Sequence, residues 1–192
     1  TFVGNSMVEF AARAWNTVRA DTQLAPLAES AFAADAVTRE NIGKGLAAVI
    51  GADNVENLDA EQRRHLEMLF FLEGTRRLRH ESVRALMPLG IQVCGDEGWK
   101  SVAENAQPAL NYFHELPAFY RDCAINLNFT SIQMPSAVNQ RVFDCPAAGG
   151  FLLSDAQSGL ARLFSENEVA TFATLDECRD KLQYFNRDAA AR

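Results

Sequence analysis

Asn139, Arg141 and Asp144 stand close together in the sequence, and their side chains suit a phosphorylated sugar compound. A guanidinium donates charge-assisted hydrogen bonds to phosphate, and Asn139 can orient the adjoining loop. A carboxylate such as that of Asp144 can accept two hydroxyl groups of a ribose. All three residues lie on a predicted helix, whose first turn has free N–H groups and a dipole that favours phosphate. These residues therefore predict a site for a diphosphate and a ribose.

A purely structural interpretation of the same stretch is open as well. Asn139 can cap the predicted helix, and Arg141 and Asp144 can pair with each other at a spacing of three residues. The glycines at positions 149 and 150 can then end the helix. From the residue types alone, both interpretations stay open.

The predicted helix, residues 138–148, lies between two short apolar segments that predict buried strands, residues 125–129 and 151–153. A strand, loop, helix and strand in this order form a right-handed crossover between parallel strands. In such sheets, ligands bind at the carboxyl ends of the strands. The polar residues that we expect at this edge are Asn128, near the end of the first strand, and Thr130 and Ser136 in the intervening loop.

Further strands and helices alternate along the chain. Strands are predicted in the first residues of the chain and at 91–94, 109–113 and 169–172. Helices are predicted at 7–20, 24–34, 42–50, from 60 onward, and at 116–123, 157–164 and 175–185, with Ser6, Asp59 and Thr174 as N-caps. This alternation predicts an α/β protein with a doubly wound parallel sheet. Gly95, Asp96 and Trp99 follow a predicted strand and are expected at its ligand edge.

The stretch 21–59 is rich in alanine and has no β-rich segment, so we expect it to form a helical insertion or cap near the N-terminus. Residues 1–20 and 60–192 would form the sheet domain. Because the chain starts with a strand and without an initiator Met, we expect it to be a fragment of a longer protein.

Composition restricts the class of partner. The 192 residues have a net charge of −7, which disfavours a nucleic acid partner because no basic excess is available to neutralise phosphates. No apolar stretch is long enough to span a bilayer, and no signal-peptide pattern is present, so we expect a cytoplasmic protein. The four widely spaced cysteines favour buried free thiols over a disulfide framework or a metal site.

Common catalytic motifs are missing from the sequence. It has no GxSxG elbow, HExxH motif, Walker loop or GxGxxG fingerprint, which disfavours triad hydrolases, NTPases and standard dehydrogenases. His65, His80 and His114 are too scattered for a metal site and are interpreted as surface or helix residues. The basic cluster at residues 76–84 could approach phosphates, but its place near the C-terminal end of a helix favours a solvated helix face.

Several stretches resemble a known family. Residues 139–144, NQRVFD, precede small residues, a glycine pair and the strand FLL. This order resembles the N-x-R-x-F-E/D signature of the CgeB-like, spore-protein-type glycosyl transferases of the GT-B fold. Residues 2–6 (FVGNS) are similar to the opening strand and loop of that family's C-terminal domain. Gly95-Asp96 with Trp99 looks like its G-D-G-W loop, and Tyr112 with Leu116-Pro117 and Tyr120 looks like its Y-x-E-L-P-x-x-Y stretch.

The resemblance implies a Rossmann-like, donor-binding domain that holds a nucleoside diphosphate sugar as substrate, without a bound metal or other cofactor. An unidentified acceptor and an N-terminal acceptor domain, missing from this chain, would complete the enzyme. Asp144 matches the ribose acid, while Asn139 and Arg141 match the polar pair at the diphosphate. Gly4, Asn5 and Ser6 match the loop that faces the cleft.

One position departs from the pattern of the family. Many retaining members have a second glutamate eight residues before the ribose acid, and here that position is Ser136. The stereochemical course of transfer therefore stays open.

Two other classes of protein are alternatives to a glycosyl transferase. A non-catalytic interaction module would use the helical stretch around residues 31–50 to dock a partner. A flavodoxin-like receiver domain would need an acidic cluster with a later lysine at a strand end, and Asp96 and Glu97 have no such lysine.

Overall fold

A computed structural model describes residues 1–165 and 168–192 of the chain. The described residues form two compact units. The first unit contains residues 1–6, 79–130 and 136–192, and the second contains residues 7–78 and 131–135.

The first unit is built around a sheet of six parallel strands in the order β3-β2-β1-β4-β5-β6. The strands are β1 (Phe2–Val3), β2 (Val93–Gly95), β3 (Gln107–Pro108), β4 (Asn126–Asn128), β5 (Leu152–Asp155) and β6 (Ala170–Phe172). Phe2 lies opposite both Val93 and Leu127, so β1 is a central strand. This order and the flanking helices confirm the predicted α/β, Rossmann-like fold.

Ten α-helices are found among the described residues. They are α1 (Val8–Arg19), α2 (Leu24–Ala33), α3 (Arg39–Lys44), α4 (Leu46–Ile50), α5 (Ala52–Glu56), α6 (Ala60–Leu86), α7 (Leu116–Asp122), α8 (Arg141–Ala147), α9 (Leu160–Leu163) and α10 (Leu175–Arg187). None of the helices within the described ranges has both the length and the apolar character needed to cross a membrane.

The core of the first unit lies against the sheet. Phe2, Leu127 and Leu153 are buried on the central strands, and Trp99 packs edge-on against the Phe2 ring at 5.5 Å between centroids. Strands that are buried in this way are apolar along most of their length, which is why the short segments were recognisable in the sequence.

The second unit is helical and has a core of its own. Leu24, Leu66, Leu69 and Phe70 are buried together there, and the Phe32 ring packs against Phe70 at 5.6 Å. The unit contains all of residues 21–59, together with α1 and the first part of α6. The role of the stretch 21–59 as an insertion or cap stays a prediction.

Two of the three predicted helix caps are confirmed. The Asp59 carboxylate accepts hydrogen bonds from the N–H groups of Glu61 and Gln62, both at 2.8 Å, and Thr174 Oγ1 accepts from Glu177 N at 3.1 Å. The prediction for Ser6 is wrong. Helix α1 begins after Met7, whose φ of 67° is left-handed, and the Ser6 hydroxyl donates to Asp96.

The strand predicted at residues 109–113 is wrong. The third strand lies earlier, at Gln107–Pro108, and a turn follows it. The Asn111 side chain accepts hydrogen bonds from the N–H groups of Phe113 and His114, each at 3.0 Å. This local Asx turn competes with strand pairing, and it outweighs the aromatic residues that suggested a strand.

Candidate functional site

The candidate site lies at the carboxyl ends of β1 and β4, two neighbouring strands in the middle of the sheet. The strand order places β2 and β3 on one side of β1, and β4, β5 and β6 on the other. Chain connections therefore leave in opposite directions at this point, and such a switch point opens a crevice for ligands in α/β sheets. The loops that follow β1, β2 and β4 carry most of the predicted site residues.

Helix α8 begins at Arg141 rather than at residue 138 as predicted. Gln140 is its N-cap residue, and no side chain caps it there. Asn139 instead donates from Nδ2 to the Asn128 side-chain oxygen at 2.8 Å. Arg141 is therefore the first residue of the helix, and the expectation that Asn139 lies on the helix is wrong. Pairing between strand and loop side chains has delayed the start of the helix.

Arg141 is held by partners on three different elements. Its Nη1 donates to Asn128 Oδ1 at 2.7 Å, its Nε donates to the Tyr120 hydroxyl at 3.3 Å, and its Nη2 donates to the carbonyl of Val3. The guanidinium also lies over the Phe2 ring, 5.5 Å from its centroid. Among the described residues, these bonds use three of its five N–H donors, which fixes a positive charge at the switch point and leaves two donors for a ligand.

Asn128 is the residue that orients this arginine. Its side chain is fully buried, with 0% exposure, and its Oδ1 accepts from both Arg141 and Asn139. Its Nδ2 donates to Ser154 Oγ on β5 at 2.9 Å. Asn128 was predicted to bind substrate; in the structure its buried side chain contacts Arg141, Asn139 and Ser154. The Asn139 side-chain oxygen is buried and accepts no hydrogen bond from the described residues.

We expect Asn128→Leu to lower the free energy of unfolding by about 3 kcal/mol, because the half-buried donors of Arg141 and Asn139 would lose their acceptor. Asn128→Asp is the matched control. A carboxylate accepts from the same two donors and from the Ser154 hydroxyl, so we expect a loss below about 1 kcal/mol. Urea unfolding of the two variants measures the difference. Equal losses would show that the hydrogen bonds of Asn128 are not the reason for its burial.

Thr130 lies beside an acid, Asp155, that was not predicted as a site residue. Its N–H and its hydroxyl both donate to Asp155 Oδ1, at 3.0 and 2.8 Å, and Gln157 Nε2 donates to Oδ2 at 3.2 Å. Asp155 is the last residue of β5 and is buried. A polar pair at the end of an otherwise apolar strand, Ser154-Asp155, was the signal that marked this position.

The loops after β1 and β2 are tied together by hydrogen bonds. Trp99 Nε1 donates to the carbonyl of Gly4 at 2.7 Å, and Ser6 N donates to Asp96 Oδ2 at 2.7 Å. Asp96 Oδ1 accepts from the Ser6 hydroxyl and from Gly98 N. The structure thus brings Gly4, Ser6, Asp96 and Trp99 together, as the predicted positions at strand ends imply. The Asp96 carboxylate, in the loop after β2, joins the two loops by accepting hydrogen bonds from Ser6 in the loop after β1.

Arg79 is a second buried cation at this edge. It is 9% exposed, and its Nη1 donates to the carbonyl of Asn5 at 2.9 Å. Burial and, to a lesser extent, the positive charge of Arg141 lower the pKa of Arg79 to about 10, while Asp155 and Asp96 oppose the shift. The interpretation of this basic cluster as a solvated face is therefore wrong for Arg79.

The same correction applies to His80, which is helical as predicted but buried. Its Nε2 lies 3.0 Å from the carbonyl oxygen of Ser6, and its ring lies 5.0 Å from the Trp99 ring. Arg79 and His80 follow one another near the end of α6, so both bind the loop after β1. Residue type alone suggests that Arg79 and His80 are solvated. They are buried because the loop after β1 packs against them and supplies carbonyl partners for both side chains.

Asp144 faces a small cavity on the side of Arg141 where α7 begins. Its Oδ2 accepts a hydrogen bond from the Tyr112 hydroxyl, and Arg141 binds other partners, so the Arg141–Asp144 pair of the structural interpretation is not formed. The cavity has a volume of about 290 Å³. It is lined by Tyr112, Phe113, Leu116, Pro117, Tyr120, Asp144, Ala147 and Ala148.

Tyr120, which was not predicted as a site residue, links the cavity to Arg141. Its ring lines the cavity, and its hydroxyl accepts from Arg141 Nε. Burial raises the pKa of Tyr120, so its hydroxyl stays protonated at neutral pH. The spacing of Tyr112 and Tyr120 around a predicted helix start was a signal for a shared aromatic wall.

Ser136 lies apart from this arrangement. It is exposed, and within the described ranges its side chain makes no hydrogen bond to the other predicted site residues. A Cβ at Gly159 would stand 2.3 Å from the carbonyl oxygen of Ser136, so the chain passes close to Gly159 there.

The titratable side chains of the site are not arranged as a metal centre. In the part of the chain that the structure describes, no three or more His, Cys, Asp or Glu side chains are grouped to hold a metal ion. All four cysteines are free; Cys94, Cys145 and Cys178 are buried, and Cys123 is half-buried. Burial raises the pKa of Cys145 to about 12, so this thiol is not a nucleophile at neutral pH.

Comparisons with known proteins place these features in a family. A search of curated proteins and a search of solved structures found no match. A family model described as glycosyl transferase-like matches residues 64–192, about two thirds of the chain. The match includes β2 to β6, Arg79, Arg141 and the cavity at Asp144. The chain therefore belongs to this glycosyl transferase-like family.

Proposed function

We propose that the chain is the donor-binding half of a GT-B glycosyltransferase of the CgeB-like type. It would hold a nucleoside diphosphate sugar and present the sugar to an unidentified acceptor. The observation that carries the proposal is the contact between Tyr120 and Arg141, which places a cavity with a carboxylate next to a fixed cation at the switch point of the sheet. A nucleoside and a diphosphate require these two environments side by side.

The nucleoside would occupy the cavity near Asp144. Aromatic rings there offer flat apolar surfaces for a base, and the Asp144 carboxylate offers acceptors for sugar hydroxyls. The cavity of about 290 Å³ is at the lower end for ligand pockets, which suits a nucleoside but not a whole nucleotide sugar. The diphosphate and donor sugar would therefore extend out of the cavity toward Arg141.

Arg141 would stabilise the diphosphate as it leaves. Negative charge on the leaving group grows in the transition state, so a cation that is already in place lowers the barrier as well as the ground state. Since Asn128 and the Val3 carbonyl fix the guanidinium, little reorganisation is needed during the reaction. This role replaces that of a divalent cation in other transferases, and the proposal needs no further cofactor.

The remaining parts of the reaction lie outside the residues described above. The acceptor site and the general base would come from a second, N-terminal domain of the GT-B enzyme. Transfer would take place in the cytoplasm, where nucleotide sugars serve as donors. The chain on its own is expected to bind nucleotide without turnover.

Thermal unfolding in the presence of nucleotides tests the proposal. We expect at least one of UDP, GDP, ADP, CMP and dTDP to raise the melting temperature, because a ligand that binds only the native state stabilises it. A concentration of 100 times Kd would add about 2.7 kcal/mol. If none of the five shifts the transition at millimolar concentration, the donor-binding role is contradicted, and docking of a partner by the helical unit becomes the better account.

A further inference from the structure

The Asp144 carboxylate is already shared with a neighbour before any ligand arrives. The Tyr112 hydroxyl donates to its Oδ2, while Oδ1 accepts no hydrogen bond from the residues that the structure describes. The hydrogen bond to Asp144 raises the pKa of Tyr112, so the phenol stays protonated and remains a donor at neutral pH. One of the two carboxylate oxygens is therefore engaged.

A carboxylate with two unengaged oxygens can accept one hydroxyl on each, and this arrangement holds both hydroxyls of a ribose. An oxygen that already accepts a strong hydrogen bond offers less negative charge to a second donor, and the phenol occupies one direction of approach. Only Oδ1 then remains as a strong acceptor. A carboxylate in this state distinguishes poorly between a sugar with two hydroxyls and a sugar with one.

We infer that Tyr112 is a specificity-determining residue. Its hydroxyl occupies Oδ2 of the Asp144 carboxylate, and this makes the site tolerant of 2′-deoxyribonucleotides. The inference rests on the proposed function, because it assumes that Asp144 accepts sugar hydroxyls. Tyr112 is 44% exposed and lies at the rim of the cavity, so its hydroxyl can be removed without disturbing the buried core.

The test compares ribonucleotides with their 2′-deoxy counterparts. Isothermal titration calorimetry gives Kd for UDP and 2′-deoxy-UDP, for GDP and 2′-deoxy-GDP, and for ADP and 2′-deoxy-ADP. With the wild-type chain, we expect the Kd values of the ribonucleotide and its 2′-deoxy counterpart to differ by less than about threefold, for whichever base binds. With Tyr112→Phe, which keeps the ring and releases Oδ2, we expect the preference for the ribonucleotide to rise to about tenfold, because a hydrogen bond to a charged group is gained.

Tyr184→Phe is the matched control, because Tyr184 is an exposed tyrosine on α10 outside the site. We expect it to leave both Kd values unchanged. If the ratio of the Kd values for the 2′-deoxyribonucleotide and the ribonucleotide is unaltered in Tyr112→Phe, the inference is overturned. Binding of the nucleotide itself would still support the proposed function. A lower ratio would also overturn it and would show that the phenol oxygen itself accepts from the sugar. If no diphosphate binds to the wild-type chain, the proposed function and the inference both fail.

Discussion

Gly95→Ala is expected to lower the free energy of unfolding by about 3 kcal/mol or more. A Cβ at this position would stand 2.2 Å from the carbonyl oxygen of Gly4 and 2.7 Å from the indole ring of Trp99. Neither neighbour can give way, because the carbonyl belongs to the loop after the central strand and Trp99 is fully buried. The two loops would separate, and the hydrogen bond from Trp99 Nε1 to Gly4 would break.

Urea unfolding followed by circular dichroism measures this effect, and Gly90→Ala provides the control. Gly90 lies in the same unit and has open space around it, so the same substitution there meets only the backbone strain of its φ of 75°. That strain amounts to about 1–2 kcal/mol. If Gly95→Ala proved no more destabilising than Gly90→Ala, the close approach of the two loops would be contradicted.

Arg141→Ala is expected to weaken UDP binding by about 100-fold while changing uridine binding by less than about threefold. The guanidinium contacts the diphosphate in the proposed complex, and each charge-assisted hydrogen bond that is lost costs about 1.5–3 kcal/mol. The nucleoside occupies the cavity at Asp144 and does not depend on this charge directly. If another nucleotide binds better than UDP, the same comparison is made with the nucleoside diphosphate and the nucleoside of that base in place of UDP and uridine.

The control for this prediction is Arg84→Ala, which removes an exposed arginine of α6 and the same formal charge. Calorimetric titration should give unchanged Kd values for both ligands. Because Arg141 also holds Val3, Asn128 and Tyr120, its removal destabilises the fold, and titrations belong well below the melting temperature of the variant. Equal losses for UDP and uridine would show that Arg141 supports the cavity rather than the diphosphate.

The central strands of the sheet, such as β4 and β5, were predictable from the sequence because they are buried on both faces, whereas the exposed edge strand β3 was not predicted at its place. Short apolar segments such as the one before Asn128 and the one before Asp155 are recognisable without knowledge of their partners. Alternation with helices then predicts parallel strands and places the ligand edge at their carboxyl ends. The candidate positions at strand ends followed from this geometry, and their chemical roles stay predictions.

The partners of these residues could not be predicted, because they come from distant parts of the chain. Arg79 binds the carbonyl of a residue 74 positions away, and Arg141 binds one that is 138 positions away. Main-chain carbonyls leave no signature in residue type. Local patterns failed where a tertiary partner competed for the same group: the Ser6 hydroxyl donates to Asp96, and Asn139 binds Asn128.

The central position of β1 has a consequence for the order of folding. This strand pairs with β2 and β4, which follow it by about 90 and 125 residues in the chain. During synthesis it must wait, unpaired, until both neighbours have left the ribosome, and the loops closed by these pairings are long. The core residues of the helical unit lie between β1 and β2 in the sequence, so this unit can form first. We therefore expect insertion of β1, together with its bond to Arg141, to be a late event, after which the binding edge is complete.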